Sequence, residues 1–146
     1  MKAENFFSEE QKVAIQKSIA NAELNTSGEI RVHVDNECKE AVLDKAANIF
    51  HELGMDATEL SNGVLFYLAV QDQKFAIVGD KGINEKVPAD FWDTIKNIMQ
   101  EHFKKGEFTI GLSKGIEMAG EKLKTHFPLQ HNDTNELSND VSFGNN

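Results

Sequence analysis

Asn62-Gly63-Val64-Leu65-Phe66-Tyr67-Leu68-Ala69-Val70 is the stretch that decides the fold. A strand facing water on one side alternates apolar and polar residues. This one is apolar at every position from Val64 to Val70, so both of its faces must be buried. It is therefore a central strand, with helices covering the sheet on both sides. The run is too short to cross a bilayer. Gln71-Asp72-Gln73 is a brief connection, and Lys74 to Gly79 returns as an antiparallel hairpin partner.

Upstream, Glu29-Ile30-Arg31-Val32-His33-Val34-Asp35 alternates with period two. Ile30, Val32 and Val34 share one face, and Glu29, Arg31 and His33 share the other. Between the two strands, Val42, Ala46, Ile49, Phe50 and Leu53 form the apolar stripe of a helix over 40–53, with Gly54 as its stop. Strand, helix and strand make a βαβ unit, whose strands run parallel through a right-handed crossover.

Ser8 and Gln11 form a capping box that opens a first helix, with Ile15, Ile19 and Ala22 on one face and an end near Leu24. Pro88 opens a helix carrying Trp92, Ile95, Met99 and Phe103, which closes at Lys104-Lys105-Gly106. A last helix carries Leu112, Ile116, Ala119 and Leu123 and stops at Phe127-Pro128. The fold class is α/β: a βαβ unit plus an antiparallel hairpin strand, a small mixed sheet with helices on both faces. Residues 1–128 form one domain. Residues 129–146 form a polar tail, rich in Asn, Asp and Ser and without Lys or Arg beyond Leu129, that is expected to be mobile. Leu137, Val141 and Phe143 are its means of docking on the domain.

Composition excludes some partners. The chain has 146 residues and a formal net charge of −9. That disfavours phosphate backbones and anionic membrane surfaces, both of which need Lys and Arg patches. Cys38 is the single cysteine, so no internal disulfide forms, and a packed thiol is the expected state. The start, Met1-Lys2-Ala3-Glu4-Asn5, lacks the apolar core of a signal peptide, so a cytoplasmic location is expected. With no exposed apolar stripe in the pattern, a monomer is expected.

The chemistry gathers at Val78-Gly79-Asp80-Lys81-Gly82-Ile83-Asn84-Glu85. Two glycines let the backbone turn and expose its carbonyls, and Asp80 and Glu85 add hard oxygens. The parallel pair brings Thr26 to Glu29 and Ser61 to Gly63 to one end of the sheet. The returning strand delivers Asp80 to Glu85 to that same end. Glu29, Asn62, Asp80 and Glu85, with backbone oxygens of Gly82 or Ile83, then make a candidate site for calcium, with magnesium as the alternative. Asp35-Asn36-Glu37 and Asp72 form a rival acidic cluster at the opposite end, where Asp35 and Asn36 also suit a helix cap. There is no Walker A loop, dinucleotide fingerprint, EF-hand rhythm or Gly-x-Ser-x-Gly elbow. His33, His51, His102, His126 and His131 show no zinc-type pairing. Ser27 has no evident base and reads as a cap.

Thr26-Ser27-Gly28-Glu29-Ile30, Asn62-Gly63-Val64-Leu65, Val78-Gly79-Asp80-Lys81-Gly82-Ile83, Phe103-Lys104-Lys105-Gly106-Glu107-Phe108 and Gly111-Leu112 together resemble the TPM domain, over residues 8–128. The resemblance implies an α/β sandwich. It also implies calcium binding, described for some members, and acid phosphatase activity, proposed for plant members. Other members are thylakoid-lumen or bacterial envelope proteins, and many are exported. This chain differs in having Gly79-Asp80-Lys81-Gly82 where many members carry a Gly-aromatic-Gly turn. The role of the thylakoid members in photosystem repair is not carried over.

Three functions follow as expectations. The first is a calcium-binding regulatory or interaction domain. The second is a metal-dependent phosphatase, with Asp80 as the acidic catalytic group and Lys81 or Arg31 holding phosphate. The third is an ion-free module whose tail from Gln130 orders on a protein partner.

Overall fold

The computed structural model describes residues 2–129 and 137–144. Strands β1 (Glu29–Asp35), β2 (Gly63–Ala69), β3 (Lys74–Gly79) and β4 (Ser142–Phe143) form one 4-stranded sheet in the order β3-β2-β1-β4. β1 and β2 are parallel, with Glu29 opposite Gly63 and Asp35 opposite Ala69. β3 returns antiparallel, with Val64 opposite Gly79 and Ala69 opposite Lys74. Among the described residues five α-helices accompany the sheet: α1 (Glu9–Glu23), α2 (Val42–Glu52), α3 (Lys81–Asn84), α4 (Asp93–Lys104) and α5 (Phe108–Leu123). This is the expected α/β fold.

The alternation of side chains along β2 sorts the core into two clusters. Val64, Phe66, Leu68 and Val70 join Ile30, Val32 and Val34 of β1, the apolar stripes of α1 and α5, and Ile95 and Met99 of α4. Leu65, Tyr67 and Ala69 face the other way and pack with Ala46, Ile49 and Phe50 of α2, and with Cys38. Cys38 is the packed thiol expected of it. The capping box at Ser8 forms, its hydroxyl accepting from the Gln11 amide at 3.1 Å and the Gln11 side chain accepting from the Ser8 amide at 2.8 Å. Gly54, at φ 70°, follows the last residues of α2.

Three details depart from the sequence reading. The helix expected from Pro88 begins at Asp93; Pro88 to Trp92 are spent on turns, in which the Phe91 amide donates to the Pro88 carbonyl at 3.1 Å. A short helix, α3, follows Asp80, which caps it. The third concerns the tail. Residues 137–144 are docked rather than free: β4 pairs parallel with β1, and Leu137 is buried in the second cluster. Val141 and Phe143 pack against the first cluster, which is the docking their apolar character suggested. Residues 130–136 and 145–146, to which the mobile-tail expectation also applied, lie outside the described residues. On the second face of β1 the polar positions Glu29, His33 and Asp35 are buried, and they bond to Leu137, Ser142 and Tyr67 respectively.

Among the described residues no helix is long and apolar enough to cross a membrane.

Candidate functional site

The register brings the three loops to one end of the sheet, as expected. The Glu29 amide donates to the Asn62 carbonyl at 3.1 Å, and the Asp80 amide donates to the Gly63 carbonyl at 2.9 Å. A fourth segment arrives from the end of α5. The Thr26 hydroxyl and the Ser27 amide both donate to the Phe127 carbonyl, and Thr26 bridges Pro128. Between these loops lies an open groove of about 430 Å³, lined by Ser27, Glu59–Ser61, Lys81–Gly82, Glu85–Lys86 and His126–Pro128.

The sequence-derived site residues divide in two. Gly82 and Glu85 line the groove. Asp80 does not line the groove; it precedes the lining residue Lys81 and caps α3, its Oδ1 accepting from the Lys81 amide at 2.8 Å. Its Oδ2 is buried without a hydrogen-bond partner, and so is the Ser27 hydroxyl. The others are committed elsewhere. The Asn62 side-chain amide donates to the Ser27 carbonyl at 2.9 Å, tying two loops together. Glu29 points to the second face, where Oε1 accepts from the Leu137 amide at 2.9 Å. The Ile83 side chain is fully buried, and its carbonyl accepts from the amides of Lys86 at 2.9 Å and Val87 at 3.1 Å. Asn62 therefore holds the Ser27 loop and Glu29 holds the tail, and an ion in the groove would draw its oxygens from Glu85, Ser27 and the loop carbonyls, with Asp80 next to the lining residue Lys81. The rival acidic end is also committed: the Asp72 carboxylate accepts from the Cys38 amide at 2.7 Å, and the Tyr67 hydroxyl donates to Asp35 at 2.6 Å. Among the described residues no group of three or more His, Cys, Asp or Glu side chains gathers as a ready-made metal centre.

Gly82 is essential to the shape of the groove. A Cβ there would lie 2.5 Å from the carbonyl oxygens of both Leu60 and Ser61. Neither backbone oxygen can swing aside, so α3 would have to move off the 58–63 loop. Gly82→Ala is expected to destabilise the fold by roughly 1–3 kcal/mol, the usual cost of forced overpacking. Urea denaturation checks this, and an unchanged midpoint would show that the loop is soft.

Two polar constellations were not foreseen. Glu23, at the end of α1, accepts from the Ile30 amide at 3.0 Å. Burial, reinforced by the charge of Glu29, pushes its carboxyl up to about 7. On the second face, Ser142 Oγ lies 2.9 Å from His33 Nδ1, and His33 Nε2 lies 3.2 Å from Asp35 Oδ1. Burial pushes the Asp35 carboxyl up, but the hydrogen bonds from His33 and Tyr67 outweigh it and hold it below the usual carboxylate range. Burial, with Asp35 alongside, drives the Tyr67 phenol strongly up, so Tyr67 stays a donor. The period-two spacing of His33 and Asp35 was the available sign that they share a face. Nothing near them in sequence pointed to Ser142.

Sheet order, two-sided helix cover and the four-loop groove define a small α/β sandwich with its groove at the end of the sheet where β1 and β2 begin. The TPM domain family model matches residues 1–122, and the chain belongs to that family. It is similar to the BA42 protein of the psychrophilic bacterium Bizionia argentinensis, solved by NMR, at 50% identity over 97% of each chain and a TM-score of 0.91. It also resembles the N-terminal domain of the cg2496 protein of Corynebacterium glutamicum, at 12% identity, a TM-score of 0.62, and coverage of 93% of this chain and 80% of that one. The N-terminal domain of a P. gingivalis protein shares 17% identity with a TM-score of 0.68, over 87% of this chain and 83% of that one. These last two likenesses concern the fold alone. No curated protein matches the chain.

Proposed function

We propose that this protein is a calcium-binding TPM domain whose ion sits in the groove between the Ser27, Ser61 and Asp80–Glu85 loops. The observation that carries the reading is the buried Asp80 Oδ2, a carboxylate oxygen with no hydrogen-bond partner. A buried charged oxygen left unmatched is costly, and a hard cation is its natural counterpart. The unpartnered Ser27 hydroxyl, the Glu85 carboxylate and the carbonyls of the 59–61 loop supply further oxygens of the type calcium takes. Flexible ligands from several loops suit calcium better than magnesium, which demands a tighter octahedron. Binding would draw the loops together and stabilise the folded state by mass action, giving a regulatory or interaction domain an ion-dependent surface.

A calcium titration of the metal-stripped protein, followed by amide shifts, tests this. Saturable changes are expected in residues 26–29, 59–63 and 79–86. The double variant Asp80→Asn, Glu85→Gln is expected to lose at least about tenfold in affinity while keeping its fold, because it removes both charged ligands. Equal affinity in the variant would rule out this groove. A second reading, metal-dependent phosphate-ester hydrolysis, draws on Lys81, Lys86 and His126 along the same groove, which could hold a phosphoryl group beside the ion.

A further inference from the structure

Ser142, His33, Asp35 and Tyr67 take no part in the groove, yet their side chains form a continuous polar chain. We propose that Ser142, with His33 as its base and Asp35 as the group that orients the base, is the nucleophile of an acyl-transfer site at the outer edge of the sheet, taking small carboxylic esters.

The local geometry supplies each part. The Tyr67 hydroxyl donates to Asp35 Oδ2 at 2.6 Å, leaving Oδ1 for His33 Nε2 at 3.2 Å. A carboxylate at that nitrogen fixes the proton on Nε2 and leaves the Nδ1 lone pair facing Ser142 Oγ, 2.9 Å away. The roles of the two ring nitrogens are swapped relative to the usual serine triad, but either nitrogen can act as the base while the other donates. The His33 ring lies parallel to the Tyr67 ring, at an interplanar angle of 10°, which holds its orientation. Gly144 closes the chain from outside. A Cβ at Gly144 would collide with Asp35 Oδ1, so only glycine lets the backbone lie over this carboxylate.

The nucleophile is reachable. Ser142 is partly exposed, and among the described residues β4 is the last strand of the sheet. The Gly144 amide donates to the Val34 carbonyl at 3.0 Å, and Val34 is opposite Phe143. In a parallel ladder the residue between two bonded ones turns its own amide to the free edge. The Phe143 N–H therefore points outward one residue after Ser142, the place from which serine hydrolases donate to a developing oxyanion. An edge position suits a small ester, whose acyl carbon can approach from solvent.

In the step itself, Ser142 Oγ bonds to the acyl carbon while its proton passes to His33 Nδ1. The bond to the leaving alkoxide then breaks, and His33 returns that proton to it as the alcohol departs. Water repeats the sequence on the acyl-serine, His33 taking a proton from water and giving it to Ser142 Oγ as the carboxylic acid leaves. Asp35 stays ionised throughout.

The test uses p-nitrophenyl acetate turnover together with a fluorophosphonate probe and peptide mapping. The expected result is a covalent adduct on Ser142 and turnover that Ser142→Ala reduces to the buffer rate. His33→Gln should lower turnover by about a hundredfold or more, as loss of a general base does. Should Ser142→Ala lose the β4 pairing, read from the Gly144 amide, Asp35→Asn decides instead. The carboxamide introduced by that substitution keeps the size and can still accept from Tyr67, but it favours the wrong imidazole tautomer, so kcat should fall with KM unchanged. No adduct on Ser142 in the wild-type protein, or equal turnover in Asp35→Asn, would overturn the proposal.

Discussion

Phe66→Ala is expected to lower the free energy of unfolding by about 3–5 kcal/mol, the usual range for truncating a fully buried Phe. Phe66 is fully buried at the centre of β2, flanked by Val32 on one neighbouring strand and Ile77 on the other. All three belong to the cluster beneath α1, α4 and α5. Removing the ring deletes apolar contacts to the sheet and the helix layer at once. Its neighbours cannot close the hole, because the register holds the strand in place. Phe66→Leu fills most of the space and should cost under about 1.5 kcal/mol. Urea denaturation of the pair separates the loss of volume from the loss of the ring. A drop below about 1 kcal/mol in the alanine variant would show a collapsible site, and would contradict the central position assigned to β2.

That central position was legible in the sequence because the pattern is local. An unbroken apolar run from Val64 to Val70 can only be a two-sided strand or a buried helix, and the flanking Gly63 and the short Gln71-Asp72-Gln73 turn decide between them. Parallel pairing of β1 with β2 then fixed which loops meet, and the groove lies where that deduction put it. Sequence pattern could not say how individual polar side chains are spent. Glu29 was assigned to the groove because it sits in the right loop, yet alternation along β1 turns it to the second face, where the Leu137 amide takes its carboxylate. Asn62 reached the right place but uses its side chain to hold Ser27. The contacts that decided these outcomes bridge large separations: 108 residues for Glu29 and Leu137, 109 for His33 and Ser142, and 101 for Thr26 and Phe127. The tail showed composition without periodicity, since a two-residue strand is too short to carry a period. Its docking depends on an edge of β1 that only the assembled sheet presents.

Glu23 produces the clearest pH dependence. Its folded carboxyl stands at about 7, raised from an ordinary 4.5, with burial as the first cause and the charge of Glu29 as a further one. The fold therefore prefers the protonated acid, and the unfolded chain releases the proton sooner. Below about pH 4.5 both states hold the proton, and the contribution to stability is complete. Between 4.5 and 7 the unfolded state alone ionises, and stability falls steadily. Above 7 the folded carboxylate is charged beside Glu29, and the loss is complete. The shift of about 2.5 units corresponds to on the order of 3 kcal/mol, an upper limit because Glu23 remains partly open to solvent and is screened there. Glu23→Gln keeps an acceptor for the Ile30 amide but cannot ionise. Urea midpoints at about pH 5 and about pH 8 should differ clearly in the wild-type protein and much less in the variant, and the difference between the two proteins cancels the titrating groups that do not interact with Glu23. Parallel pH curves for the two would mean that Glu23 ionises in the fold as readily as in the unfolded chain, and that the hydrogen bond from Ile30 outweighs both its burial and its neighbour.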